Sequence, residues 1–158
     1  MQKDRKSETR IIGIDFGLAR IGIAYSDAQK IIAMPLCTVQ AERDSLLTAR
    51  KVVKELQRHA EENGYAIEEL VVGMPLLMSG KKGLLADEAT HFIELCKKES
   101  ALPVMAWDER LTSVQAERSL REGNMTRKKR TKHVDTVAAT LILQNYLDYK
   151  SRPKEHNP

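Results

Sequence analysis

Four carboxylic acids are the residues of this sequence best suited to chemistry, and each stands near a predicted end of a strand or helix. They are Asp15, Asp108, Glu109 and Asp135. Carboxylates bind hard divalent cations such as Mg²⁺ without help from nitrogen or sulfur ligands. Two such ions about 3.5–4 Å apart can activate a water and stabilise the oxygen that leaves a phosphodiester. Convergence of these acids would therefore suit metal-dependent cleavage of nucleic acid.

A dense basic cluster immediately precedes Asp135. Residues 127–133 read RKKRTKH, and the run is predicted to be a loop between two helices. Charge runs of this kind are commonly solvated surface, but a place beside an acid would equally suit the binding of phosphate groups. Both interpretations stay open from the sequence. The cationic residues of the cluster are Arg127, Lys128, Lys129, Arg130 and Lys132.

Each acid also has a purely structural explanation. Asp15 could accept hydrogen bonds from backbone amides in the turn that follows it. Asp108 or Glu109 could pair with a neighbouring arginine on the surface. Asp135 is predicted in the first turn of a helix, where capping and the helix dipole favour a carboxylate. The argument for a site therefore depends on the acids taken together with their basic neighbour.

The elements that must position these acids follow from hydrophobic periodicity. Strands are predicted at 10–16, 20–26, 31–39, 68–74 and 103–108, and helices at 42–63, 83–99, 111–122 and 134–149. Three strands followed by alternating helices and strands indicate an α/β domain of mixed α+β character. Its sheet should be antiparallel at the start and parallel afterwards. We expect one domain over 10–149, with mobile tails at 1–9 and 150–158.

The composition is typical of a soluble globular domain: 158 residues, 42% hydrophobic and 30% charged, with a net charge of +4. No apolar run approaches the length of a bilayer span, and no secretory segment is apparent at the start. We therefore expect a cytoplasmic protein without membrane contact. Cys37 and Cys96 stand apart and are predicted to be buried free thiols, with a disulfide between them as the alternative. Aromatic residues make up 4%, which argues against a stacking platform for single strands.

Four ordered motifs resemble the YqgF/RuvX family: GIDFGLARIGIAYSD, VVGMPLLMSGKKG, WDERLTSVQAE and KKRTKHVDTVAATLILQNYLD. Together they cover about residues 11–148. The resemblance implies an RNase H-like fold, a five-stranded mixed sheet flanked by helices in the order βββαβαβα. It also implies a hydrolase that cleaves nucleic acid. Two roles are attached to the family: maturation of the 5′ end of pre-16S ribosomal RNA, and resolution of Holliday junctions in DNA.

By this resemblance the family's acidic positions fall on Asp15, on the pair Asp108 and Glu109, and on Asp135. Successive strand side chains face opposite sides, so one member of the pair should face the site, and we favour Glu109. The expected metal ligands are Asp15, Glu109 and Asp135, and the expected ion is Mg²⁺, with Mn²⁺ as the alternative.

The resemblance also implies contacts with nucleic acid. Arg110 and Thr112 would orient the acids or contact a phosphate, and the basic cluster would hold the backbone with little reading of base sequence. One segment departs from the family pattern, PLNMDGS. Leu77 and Ser79 replace a polar and an acidic residue there, which leaves a substrate contact in that segment in doubt.

Other functions stay open from the sequence alone. A protein with this fold could bind RNA or the ribosome without catalysis. The strand-turn-strand at residues 15–23 also resembles the first phosphate loop of actin-like ATPases, but those enzymes need two such domains around one nucleotide. Monomer and homodimer are both open, although a junction resolvase would be expected to act as a two-fold dimer.

Overall fold

The computed structural model describes residues 8–74, 83–108 and 127–151, with the backbone alone for 127–135. In these ranges the elements follow one another in the order βββαβαβα. The strands are β1 (Thr9–Asp15), β2 (Arg20–Ser26), β3 (Ala33–Gln40), β4 (Ala66–Met74) and β5 (Val104–Asp108). The helices are α1 (Ser45–Asn63), α2 (Leu84–Ser100) and α3 (Arg127–Ser151). None of these helices is long and apolar enough to cross a bilayer.

The strands form one five-stranded mixed sheet in the order β3-β2-β1-β4-β5. β2 is antiparallel to β1 and β3, whereas β4 is parallel to β1 and β5. The predicted antiparallel start and parallel continuation are therefore confirmed. The turn between β1 and β2 depends on Gly17, because a Cβ at that position would lie 2.6 Å from the carbonyl oxygen of Arg20.

Helices cover both faces of the sheet, so the core has two halves. On one face, α1 and α2 pack against alternate residues of the central strands, among them Ile12 and Ile14 of β1. On the other face α3 packs against the intervening residues, among them Ile11 of β1 and Val71 of β4. Because successive side chains of a strand face opposite sides, β1 contributes residues to the core on both faces of the sheet.

The limits of α1 follow from its capping residues. The helix begins at Ser45, where the sequence predicts 42, because the carboxylate of Asp44 accepts a hydrogen bond from the N–H of Leu46 at 2.8 Å. It ends as predicted at Asn63, and Gly64 follows in the left-handed conformation with φ 69°. Glycine adopts that conformation without the steric penalty of a Cβ.

Helix α3 starts earlier than predicted, and this corrects two expectations. The basic cluster 127–133 is helical and not a loop, because α3 begins at Arg127. Lysine and arginine are good helix formers, and no glycine or proline interrupts residues 127–151. Asp135 consequently lies in the third turn of α3 and not in the first. The explanation of Asp135 by capping and the helix dipole does not apply there, since both act at the first turn.

The end of α3 also departs from the expected tail at 150–158. The helix continues to Ser151, and the Nζ of Lys150 lies 2.7 Å from the Oε1 of Glu69 on β4. This ion pair holds the last turn of α3 against the sheet. At the other end, Thr9 already belongs to β1. Residues 1–7, 152–158 and the predicted helix at 111–122 lie outside the described residues.

Candidate active site at the carboxyl edge of the sheet

Asp15 is the last residue of β1 and is half-buried at the carboxyl edge of the sheet. Alternation along β1 places it on the face covered by α3, two residues after Gly13. Its direct partners are Gly22 on β2 and Gly73 on β4. Directly opposed residues of neighbouring strands share a face of the sheet. Because both partners are glycines, neither of the directly opposed residues places a side chain beside Asp15.

Asp108 ends β5 at the same edge but lies on the opposite face. β5 pairs with β4 so that Trp107 stands opposite Gly73 and Asp108 opposite Met74. Trp107 packs against the core under α3, whereas Met74 belongs to the core under α1 and α2. Asp108 is exposed on that second side. The structure therefore brings Asp15 and Asp108 to one edge, about 10 Å apart at two strand spacings and an offset of one residue, without bringing them to one face.

The packing of α3 against β1 determines which part of this helix lies near the carboxyl edge of the sheet. A Cβ on Gly13 would lie 2.6 Å from the Cβ of Leu143, so the helix approaches β1 closely at this point. Farther along α3, Tyr146 reaches Glu69, which pairs with Ile11. The helix therefore runs against the direction of β1, and its earlier turns lie toward Asp15.

Position 135 is one helical turn before Ala139, whose carbonyl oxygen lies 3.0 Å from the ideal Cβ position of Gly13. The described backbone thus brings the third turn of α3 toward the level of Asp15. The basic positions 127–132 occupy the two turns before it. Residues 109–126, which include Glu109, Arg110 and Thr112, lie outside the described residues, as do Leu77 and Ser79. Within the described side chains there is no group of three or more metal-binding residues.

A buried polar cluster that sequence reasoning missed holds α3 in this register. Glu69 on β4 is 7% exposed, and the hydroxyl of Tyr146 donates to both of its carboxylate oxygens at 2.9 Å. Lys150 donates to Oε1 at 2.7 Å. Burial and the hydrogen bond to Glu69 raise the pKa of Tyr146, and the hydrogen bond to Glu69 raises the pKa of Lys150. In the sequence, the only sign of this cluster is that Tyr146 and Lys150 stand one helical turn apart. That spacing does not identify Glu69 on β4 as their shared partner.

Comparison with known proteins decides the family. Residues 9–149 match the family described as "RuvX: Holliday junction resolvase". The chain belongs to the RuvX family. The resemblance drawn from the four motifs is confirmed over nearly the whole chain.

Relatives in the RuvX family carry a consistent name. A protein of Protochlamydia amoebophila (strain UWE25) named "Putative pre-16S rRNA nuclease" is 53% identical over 146 residues, 92% of this chain and 97% of the relative. A protein of the same name from Koribacter versatilis (strain Ellin345) is 41% identical over 148 residues, 92% of this chain and 91% of the relative.

Among solved structures, the chain is similar to "T. thermophilus RuvC in complex with Holliday junction substrate" with a TM-score of 0.52 and 14% identity. The match covers 90% of this chain and 95% of that chain. At this identity the likeness concerns the fold, and it confirms the RNase H-like arrangement of mixed sheet and flanking helices.

Proposed function

We propose that this protein is a metal-dependent nuclease that hydrolyses phosphodiester bonds of structured nucleic acid, with the 5′ end of pre-16S ribosomal RNA as its substrate. One observation carries the proposal: a half-buried carboxylate, Asp15, ends a central strand between two glycines, under a helix that opens with a basic cluster. The names of the RuvX relatives support both the reaction and the RNA substrate.

The residues around Asp15 fit a divalent cation. β1 is hydrogen-bonded on both sides, so the carboxylate stands on a rigid element, and neither Gly22 nor Gly73 places a side chain next to it. Oxygen ligands suit Mg²⁺ or Mn²⁺. We propose Asp15, Glu109 and Asp135 as the ligands. Glu109 is preferred to Asp108 because Asp108 lies on the face of the sheet opposite to that of Asp15.

The reaction is hydrolysis, in which water adds to phosphorus and one phosphorus–oxygen bond breaks. A bound metal ion would supply Lewis-acid chemistry, lowering the pKa of a water and offsetting the charge that develops on phosphate. Asp15 orients the reacting group from a fixed position on β1. The cationic side chains from Arg127 to Lys132 bind the phosphate backbone, and Arg110 and Thr112 orient the acids or contact a phosphate. Binding should therefore weaken steeply with salt.

A DNA junction is the second candidate substrate, and the description of the matched family favours it. Junction resolution would call for a two-fold dimer, whereas trimming of a ribosomal RNA precursor works for a monomer. Association with the ribosome and a cytoplasmic location remain predictions from the sequence.

One experiment separates these possibilities. A pre-16S ribosomal RNA fragment and a four-way DNA junction are incubated side by side with Mg²⁺, Mn²⁺ or EDTA. Asp15→Asn should lose about 100-fold or more of any metal-dependent cleavage, because a ligand carboxylate is removed. Asp148→Asn is the matched control, since Asp148 is exposed and accepts a hydrogen bond from Gln144 at 3.0 Å near the far end of α3. Binding by both variants and the parent protein without cleavage under any metal would leave a non-catalytic binding module.

A further inference from the structure

Aromatic side chains gather on the α3 face of the sheet, around Trp107 of β5. The chain has one tryptophan, four tyrosines and two phenylalanines. The ring of Trp107 lies 5.4 Å from that of Tyr146, edge to face, and 5.4 Å from that of Tyr149, tilted. The low aromatic content predicted no stacking platform, but the fold brings the tryptophan and two tyrosines together.

Trp107 shares a face and a strand end with Asp15, whereas Tyr146 lies at the level of Glu69 and Tyr149 on the following turn of α3. Trp107 and Asp15 both stand opposite Gly73, one on each side of β4. Their Cα atoms are therefore about 9.6 Å apart, at two strand spacings. Because Gly73 has no side chain, no side chain at that position stands between Trp107 and Asp15.

Part of this cluster faces solvent. Tyr149 is 59% exposed, and Met105, two residues before Trp107 on the same face of β5, is 47% exposed. Exposed aromatic and apolar groups that adjoin one another mark a binding surface more often than isolated ones do. Tyr146 beneath them is fixed by its hydrogen bonds to Glu69. The Nζ of Lys150 lies 5.4 Å from the centroid of the Tyr146 ring, so a cation accompanies the rings.

We propose that the rings of Trp107 and Tyr149 stack with an unpaired base of the nucleic acid whose backbone lies at Asp15. Aromatic planes with a neighbouring cation are the usual chemistry for binding single strands, since every base offers a π face. Bases inside a duplex are stacked on one another and do not offer that face to a side chain. The substrate is therefore single-stranded where it passes Trp107 and Tyr149. This inference rests on the proposed nuclease function for the position of the nucleic-acid backbone at Asp15. The stacking itself can be tested without cleavage.

The single tryptophan makes the site observable by intrinsic fluorescence. The full chain is titrated in EDTA, which prevents metal-dependent cleavage, with a single-stranded oligonucleotide, with its duplex, and with an abasic strand of equal length. We expect the single strand to change the emission of Trp107, and the abasic strand and the duplex to leave it nearly unchanged. Equal changes with all three ligands, or none with the single strand, would overturn the proposal.

Variants at Tyr149 test the contact directly, because this side chain is exposed and its loss does not open the core. Tyr149→Ala should weaken single-strand affinity about tenfold, and Tyr149→Phe should keep it. Leu84→Ala is the control, since Leu84 is 74% exposed on α2. Unchanged affinity in Tyr149→Ala would contradict stacking. If the single strand stacks but is never cleaved, only the proposed nuclease function is overturned. If the nucleic acid is cleaved without stacking, only the present inference is overturned.

Discussion

Replacing Gly13 with alanine tests whether close packing of α3 on β1 positions the candidate site. The new Cβ would lie 2.6 Å from the Cβ of Leu143 and 3.0 Å from the carbonyl oxygen of Ala139. Carbon atoms in contact prefer separations of about 3.5–4.0 Å. The second neighbour is backbone, so rotation of a side chain cannot relieve the contact. We expect α3 to move away from β1 by about 1 Å.

The size of the effect follows from overpacking. Extra methyl groups in a tight core typically cost about 1–3 kcal/mol, and a domain of this length loses about 2–4 °C in Tm for each kcal/mol. The Tm of Gly13→Ala should therefore fall by about 2–12 °C. The moved helix carries position 135, one turn before Ala139. A misplacement of about 1 Å at a reacting centre can cost about 100-fold in rate, so cleavage should fall by that order at temperatures where the variant is folded.

Calorimetry gives the Tm, and cleavage kinetics at 25 °C give the rate. Gly64→Ala is the matched control, because φ at Gly64 is 69° and nothing lies within 4 Å of its added Cβ. That variant should lose about 1–2 kcal/mol through backbone strain, without moving α3. A Gly13→Ala protein with the Tm of the parent chain would refute the packing argument. Equal losses of activity in the two variants would refute the link between α3 and the site.

Three further predictions concern the cluster under α3 and the thiols. Tyr146→Phe removes the hydroxyl that donates to Glu69 and should lower the free energy of unfolding by about 1.5–3 kcal/mol in urea titrations; an unchanged midpoint would contradict this. Folding raises the pKa of Tyr146 through burial and that of Lys150 through Glu69, so their stabilising effect is complete below about pH 10 and is lost as pH rises through the folded pKa values. The Tm should therefore fall as pH rises above about 10, and a Lys150→Met variant should show a smaller fall. Burial raises the pKa of the Cys96 thiol to about 12 and that of Cys37 to about 11, so both should react slowly with an aromatic disulfide reagent at pH 8 until the chain is unfolded.

Most of the fold could be predicted because local patterns agree with it. β2 has the predicted limits, and the antiparallel and parallel pairings follow from the order of strands and helices. The start of α3 could not be predicted from the charge run at 127–133. Charged side chains suit a solvated loop and a solvated helix equally. The run contains no hydrophobic periodicity that would distinguish a helix from a loop.

The candidate site was predictable in part. Asp15 stands out because a carboxylate after an apolar run is costly to bury without a partner. Its glycine neighbours depend on the register of three strands, and Gly73 lies far from Asp15 in the sequence. The contact of Trp107 with Tyr149 depends on how α3 crosses the sheet. Such contacts depend on packing between segments that are distant in the sequence. The hydrophobic periodicity of a single segment does not predict them.

The helical state of the basic cluster has an electrostatic consequence. The first turn of α3 contains no acidic residue, and it opens on cations at the end where the helix dipole is positive. Like charges and the dipole therefore oppose the helix in the free protein. A phosphate backbone bound there would reverse the sign of both contributions. Polyanion binding and formation of these turns are thus linked equilibria, each favouring the other, so a bound substrate contributes free energy to the helical state of residues 127–133.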